Sequence, residues 1–190
     1  MTAGQAEDLL RCALGALDED RWEEALDRLP APIYIADAEG RVTFWNQACI
    51  EFAGRRPELG RDRWCVTWKI WTMEGDRLPH DRCPMAVAIK EKRAVRGDVA
   101  IAERPDGSRV AFAPYPTPLF APDGTFAGAV NMLLDVTSEQ RAALETQAGR
   151  CRRLSQSTGD KRTMRILSDM ADSYDATAAT LGDRAAGAGA

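Results

Sequence analysis

Histidine is nearly absent: His80 is the one copy in 190 residues. A lone imidazole excludes most sites that rely on grouped histidines for metal or acid–base chemistry. No Gly-x-x-x-x-Gly-Lys-Ser/Thr loop and no Gly-x-Ser-x-Gly elbow occurs, so phosphate cradling and serine acyl transfer lack their frameworks. The five cysteines (Cys12, Cys49, Cys65, Cys83, Cys151) are odd in number, scattered and without C-x-x-C spacing. They read as reduced thiols of a cytoplasmic protein. Long apolar runs are missing too, and none approaches the roughly 20 residues of a membrane span. The first residues carry no basic segment ahead of an apolar core, so no signal peptide is expected. Basic charge is in deficit, with 25 Lys and Arg against 29 Asp and Glu, a net of −4, which argues against general nucleic-acid binding. Catalysis within the chain is not expected.

What is present is a core's worth of apolar residues, 45% of the chain, and one stretch that organises them. Residues 124–140 read as a buried strand feeding a helix. From Phe126 to Val136 both alternation sets are mostly apolar: Phe126, Val130, Met132 and Leu134 on one face, Ala127, Ala129 and Leu133 on the other. A strand apolar on both faces is covered on both. Asn131 is the polar exception on the small-residue face, and its amide needs a partner in protein, water or ligand. Thr137-Ser138-Glu139-Gln140 then fits a capping box for a helix without a breaker until Gly149. A strand joined to a helix without a flexible loop can pass a change in the sheet to the helix.

Around this stretch the pattern is short elements and tight turns. Residues 4–17 and 21–29 carry apolar residues at helical spacing, ended by Pro30 and Pro32. Residues 33–37 and 41–46 read as a hairpin, with Asn46 as N-cap of a helix over 47–53 stopped by Gly54. Trp64, Trp68 and Trp71 fit helical spacing while Val66, Trp68 and Ile70 fit strand spacing, so 55–80 stays undecided between helix and strand; the tryptophans read as core packing, with a ligand wall as the alternative. Asp81 can cap a helix over 82–93. Residues 95–104, 109–120 and 126–136 form an antiparallel meander, turned at Pro105-Asp106-Gly107 and Pro122-Asp123-Gly124. Pro114, Pro116 and Pro118 strip one edge of the middle strand of donors. Residues 114–118 should therefore pair only with the last strand, and the first strand mainly with 108–113.

Past Gly159, Asp160 can cap a second helix. Met164, Leu167, Ala171, Tyr174, Ala178 and Leu181 make an a/d seam, answered by a weaker seam of Leu144, Ala148 and Cys151. The two helices form a hairpin or meet a second subunit. Arg150, Arg152, Arg153, Lys161, Arg162 and Arg165 cluster at the break, as a solvated face or a contact for phosphate or an acidic partner.

The run Leu29-Pro30-Ala31-Pro32-Ile33-Tyr34-Ile35-Ala36-Asp37, then 40–48, Pro105-Asp106-Gly107-Ser108, Gly128-Ala129-Val130-Asn131 and above all Asp135-Val136-Thr137 resembles the PAS domain over residues 22–140. The resemblance implies an α+β PAS fold, a five-stranded antiparallel sheet with short helices on one face, plus N-terminal and C-terminal amphipathic helices. The organisation expected is a helical extension at 1–29, a PAS domain at 30–137, a signalling or dimerisation extension at 138–182 and a flexible tail at 183–190. It further implies a sensor that is often dimeric and signals through its exit helix. Homodimerisation through the outer sheet face (Val130, Met132, Leu134) and the exit helices is expected, unless the N-terminal helices cover that face.

Family pockets hold haem, flavin, small acids or nothing. The Gly-x-Asn-Cys-Arg-Phe-Leu-Gln run of a LOV flavin site is absent, so flavin is not expected. Haem needs an axial His or Cys, and His80 with Cys83, in a Cys-Pro pair just ahead of the long helix, lies near where family haem proteins place theirs. His80 otherwise orders a turn or forms half of a metal site; no metal centre is expected. Asp135 and Thr137 are the candidates for coupling strand to helix. With no phosphoacceptor histidine on the exit helix, output is expected from a separate partner such as a kinase or regulator. The expected function is cytoplasmic signalling, by sensing a small molecule or partner. A ligand-free interaction module and a haem redox or gas sensor are the alternatives.

Overall fold

A computed structural model describes residue 8 and residues 21–181. The expected helix at 4–17 and the tail at 183–190 lie essentially outside the described residues. The elements are α1 (Trp22–Asp27), β1 (Ile33–Asp37), β2 (Val42–Trp45), α2 (Gln47–Ala53), β3 (Lys69–Trp71), β4 (Arg77–Leu78) and a 3-10 turn (His80–Arg82). There follow α3 (Pro84–Glu91), β5 (Ala100–Glu103), β6 (Arg109–Pro114), β7 (Thr117–Phe120), β8 (Phe126–Asp135), α4 (Thr137–Ser157) and α5 (Lys161–Thr180).

The sheet is antiparallel throughout, in the order β2-β1-β8-β6-β5-β3-β4, with β7 also on β8. It has eight strand segments rather than five, for two reasons. The prolines split one strand into β6 and β7, which pair with successive parts of β8. The β3–β4 hairpin, in the stretch that sequence left undecided, extends the β5 edge. As expected, β5 pairs with Arg109–Phe112 of β6, and β7 pairs with β8 alone. The Val95 amide does reach the Pro116 carbonyl at 3.3 Å, a single bond outside any ladder, because proline loses its donor and keeps its acceptor.

β8 lies between β1 on one edge and β6–β7 on the other. At Gly128 the backbone has φ +139°, and an added Cβ would sit 2.1 Å from the Ala36 carbonyl oxygen, so no side chain fits there. The register slips in this region, opposite Leu119 and Phe120. Phe126 thereby packs with the inner cluster rather than beside Val130, as plain alternation had it. Beneath the inner face, Ala129 and Leu133 meet Phe52 of α2 and Met85 and Ile89 of α3. On the outer face, Val130, Met132 and Leu134 are covered by Leu26, Trp22 and Ala25 of α1. The hairpin of α4 and α5 covers the neighbouring strip, where Leu144 and Leu181 meet Ile101 and Ala111. This face is thus covered within one chain, by the N-terminal helix that was the alternative to a dimer partner.

Several caps differ from expectation because tertiary partners compete for them. Asn46 holds the N-cap position of α2, yet its side chain caps nothing. Its Oδ1 accepts from the Ile33 amide at 2.9 Å, and its Nδ2 donates to the carbonyls of Leu26 (3.2 Å) and Ala31 (2.9 Å). The α2 amide at Gln47 is bonded instead by Asp27 of α1, at 2.7 Å. Asp81 does not cap the long helix: it lies in the 3-10 turn, and α3 begins at Pro84 with Cys83 at the N-cap position. Proline suits a first helical position because its missing N–H is not needed there. Asp160 does cap α5, accepting from the Thr163 amide at 2.9 Å.

Asn46 is fully buried, and its truncation strands donors and acceptors that water cannot reach. Asn46→Ala should lower unfolding stability by about 2–4 kcal/mol. Urea denaturation followed by circular dichroism checks this; a loss below about 1 kcal/mol would show that α1 is not held through this side chain.

Candidate functional site

The polar groups buried beneath the sheet gather around one carbonyl. Trp64 is a bulky residue with left-handed backbone, φ +68°, a conformation that costs on the order of 1–3 kcal/mol and persists where the surroundings enforce it. The enforcement is visible. The Trp64 amide donates to the Gly40 carbonyl at 2.7 Å, and the indole lies flat enough on Gly40 that a Cβ there would sit 2.3 Å from the ring. The Arg63 guanidinium and the Lys90 ammonium both lie 5.2 Å from the ring centroid. So held, the Trp64 carbonyl points inward and accepts from the Tyr34 hydroxyl at 3.0 Å and from the Cys83 thiol at 3.8 Å.

Two chains of contacts leave this point. In one, Tyr34 accepts from the Asn131 Nδ2 at 3.0 Å, and the Asn131 Oδ1 accepts from the Tyr115 amide at 3.0 Å, at the break between β6 and β7. The Asn131 amide is therefore satisfied by protein. In the other, Cys83 lies against the peptide that leads into Cys65, whose own sulfur lies 3.1 Å from the Thr67 hydroxyl. Cys65 and Cys83 are 3% and 2% exposed. His80 is beside them, with a buried Nε2 that has no hydrogen-bond partner among the described residues.

The electrostatics follow from this geometry. The neighbouring Cys83 side chain lowers the Cys65 pKa, and His80 and Thr67 add to it against the opposing effect of burial. Cys83 is raised by Cys65 and further by burial. Burial, chiefly, holds Tyr34 well above its ordinary value, so it stays a neutral hydroxyl. Cys49 lies apart, with its thiol on the Ile33 carbonyl at 3.2 Å and pushed up to about 12 by burial.

Among the residues singled out in sequence, His80 and Cys83 meet here and Asn131 joins through Tyr34. Asp135 and Thr137 stand apart, at the far end of β8. Trp64 was singled out as core packing or a ligand wall, whereas nothing in sequence marked Cys65, Tyr34 and Thr67 as members. Cys65 and Cys83 are separated by the β3–β4 hairpin, and no spacing rule links them. The three tryptophans separate as well: Trp64 packs at the inner cluster, Trp71 at the outer one, and Trp68 is 50% exposed.

The residues around His80 and Cys83 do not fit a haem. Phe52, Met85, Ile89, Phe112 and Leu133 fill the space beneath the sheet, and both thiol and imidazole point into packed protein. Two clefts open at the rim. One cleft of about 250 Å³ is bordered by Thr72, Leu78, Arg82 and Asp98. Another of about 240 Å³, between sheet and α5, is bordered by Trp71, Arg109, Ser173 and Thr177. No group of three or more His, Cys, Asp or Glu side chains among the described residues is arranged to hold a metal ion.

The family model described as PAS fold matches residues 26–141. The structure is similar to that of an RNA-binding Light-Oxygen-Voltage receptor, at 21% identity and TM-score 0.48, over 81% of this chain and 36% of that one. The chain thus spans little more than a third of that receptor. It is also similar to a Rhodobacter sphaeroides LOV protein, at 14% identity and TM-score 0.47, over 90% of this chain and 94% of that one. A PAS domain from Colwellia psychrerythraea is similar at 15% identity and TM-score 0.43, over 60% and 93% of the two chains. No curated protein matches the chain.

A filled interior makes a direct prediction. Haem or flavin added to the purified protein should give no new bound-state absorption band. A Soret band that disappears in His80→Ala or Cys83→Ala would overturn the packing described above.

Proposed function

Because the chain belongs to the PAS-fold family, we propose that it is a non-catalytic sensory module whose state is read at the α4–α5 hairpin by a separate output protein of the kinase or regulator class. The observation that carries this reading is the junction of β8 with α4. The Asp135 Oδ1 accepts from the Thr137 amide at 2.9 Å. The Thr137 hydroxyl accepts from the Ala111 amide on β6 at 3.0 Å, and the Val136 amide donates to the Ala111 carbonyl at 2.9 Å. The expected capping box does not form, since the Thr137 hydroxyl is bonded across to the sheet. The first turn of the exit helix is therefore pinned to a neighbouring strand rather than to itself.

The hairpin offers a surface to read. α5 folds back along α4 over Ala148, Cys151, Leu167, Ala171 and Tyr174. Ile166 and Met170, one turn apart, remain 50% and 41% exposed. Arg152 of the basic cluster pairs with Asp175 across the hairpin, and the other cluster side chains are exposed. No helix among the described residues is long and apolar enough to cross a membrane. We place the module in a reducing, cytoplasmic setting, which suits its free Cys49, Cys65, Cys83 and Cys151.

Tyr34→Phe breaks the interior chain, and Thr137→Val removes the bonds to Ala111 while keeping the side-chain shape. Each should raise amide exchange across 161–180, on the order of tenfold for Thr137→Val. The two should combine non-additively. Additive effects, or a hairpin indifferent to Tyr34→Phe, would overturn the sensory reading.

A second reading, a ligand-free dimerisation module, is favoured by the filled interior and by Ile166 and Met170. It places the homodimer contact on the hairpin. Light scattering at high micromolar concentration should then give a dimer mass that falls to monomer in Ile166→Lys; a monomer in the unaltered protein would refute it.

A further inference from the structure

We propose that Cys65 and Cys83 form a reversible dithiol–disulfide site that reacts with hydrogen peroxide. The geometry carries the inference. The Cys83 sulfur lies 3.8 Å from the Trp64 carbonyl, the peptide that leads into Cys65, and both thiols are buried in one cluster although 18 positions separate them in sequence. Thr67 bonds the sulfur of Cys65, and the Trp64 carbonyl that faces Cys83 belongs to a residue in left-handed backbone. The imidazole of His80 stands beside the pair with an unpartnered buried Nε2. That nitrogen is an idle proton carrier next to two groups that must exchange protons to react. The partners set the roles: the Thr67 hydroxyl can donate to a Cys65 thiolate, whereas the Trp64 carbonyl holds the Cys83 proton, so Cys65 attacks and Cys83 resolves.

The chemistry balances. The Cys65 thiolate attacks one peroxide oxygen and the O–O bond breaks. Cys65 becomes a sulfenic acid, and the departing hydroxide takes the proton that Cys65 gave up, carried by His80, to leave as water. The Cys83 sulfur then attacks the Cys65 sulfur, the S–O bond breaks, and a second water leaves with the Cys83 proton. Two thiols and one peroxide give one disulfide and two waters, and the two electrons come from the sulfurs. A small oxidant suits the site, because both sulfurs are almost fully covered. The Trp64 ring packs against the same cluster and is flanked from outside by two cations.

This site is distinct from the rim clefts and from the β8–α4 junction, but its consequence rests on the sensory reading. A disulfide alters the Trp64–Cys65 segment, and with it the Tyr34–Asn131–Tyr115 chain that reaches β8.

The test uses the full chain exposed to a small excess of hydrogen peroxide, then blocked with maleimide in denaturant, digested and mapped by mass. The expected result is a Cys65–Cys83 linked peptide, two hydrogens lighter than its reduced parts and restored by dithiothreitol, in more than half of the chains. Cys83→Ser should instead leave Cys65 as a sulfenic acid that dimedone traps. Maleimide on both cysteines after peroxide, or Cys65 linked to any other cysteine, overturns the proposal and leaves the sensory reading untouched. If the disulfide forms while amide exchange across 161–180 stays the same, the site stands and the sensory reading fails.

Discussion

A strand buried on both faces and paired on both edges is the constraint on which the rest of the structure depends. β8 contributes Ala129 and Leu133 to one core and Val130, Met132 and Leu134 to another. Each apolar face has to be covered, or the sheet would expose a patch that soluble domains avoid. The inner cover comes from α2 and α3. The outer cover is divided between α1, ahead of the sheet in sequence, and the α4–α5 hairpin, after it. The terminal helices are thus the second layer of the core rather than appendages. This is also why Asn46 is bonded to the carbonyls around α1: a six-residue helix has little stability of its own, and packing with side-chain anchors must hold it in place.

Much of this organisation was legible in the sequence, for physical reasons. The two-sided apolar pattern of 126–135 names a central strand, and the turns at Gly107 and Gly124 require left-handed backbone that glycine supplies without cost. Pro114, Pro116 and Pro118 remove donors from one edge, and the structure breaks the strand at that place. The a/d seam of 164–181 predicts a helix partner, which α4 provides. Local rules failed where a side chain found a better partner far away in sequence. Thr137 and Asn46 both have the chemistry of caps, but each is bonded to another element. Capping signatures name a competent group, and tertiary contacts decide what it bonds.

The candidate site was only partly legible, because its members come from four separate segments. His80, Cys83 and Asn131 were recognised one at a time by residue type. Nothing in the sequence said that Tyr34 would bond Asn131 across 97 positions, or that a three-residue strand and its hairpin would bring Cys65 to Cys83. The tryptophan-rich stretch misled any periodic reading for a simple reason. Trp64 is in left-handed backbone, Trp68 faces outward and Trp71 lies in β3, so the three never share one regular element. An irregular segment held by tertiary contacts has no period to detect.

A packed interior narrows the ways in which such a domain can respond. A reversible ligand acts by filling space, and here aromatic and aliphatic side chains fill it. A covalent change needs no cavity. Closing a disulfide fixes two sulfurs about 2 Å apart, a displacement imposed on the segments that carry them. Close-packed interiors compress little, so that displacement has to appear elsewhere. Tyr34 and Asn131 connect the cluster to β8, where Asn131, Leu133 and Asp135 project from alternate positions. From Asn131 to Asp135 is four residues, or about 13 Å of extended strand. The last of them bonds the first amide of α4. In the proposed reading, the same β8 that the core must cover on both faces is the shortest rigid connection between thiols and hairpin.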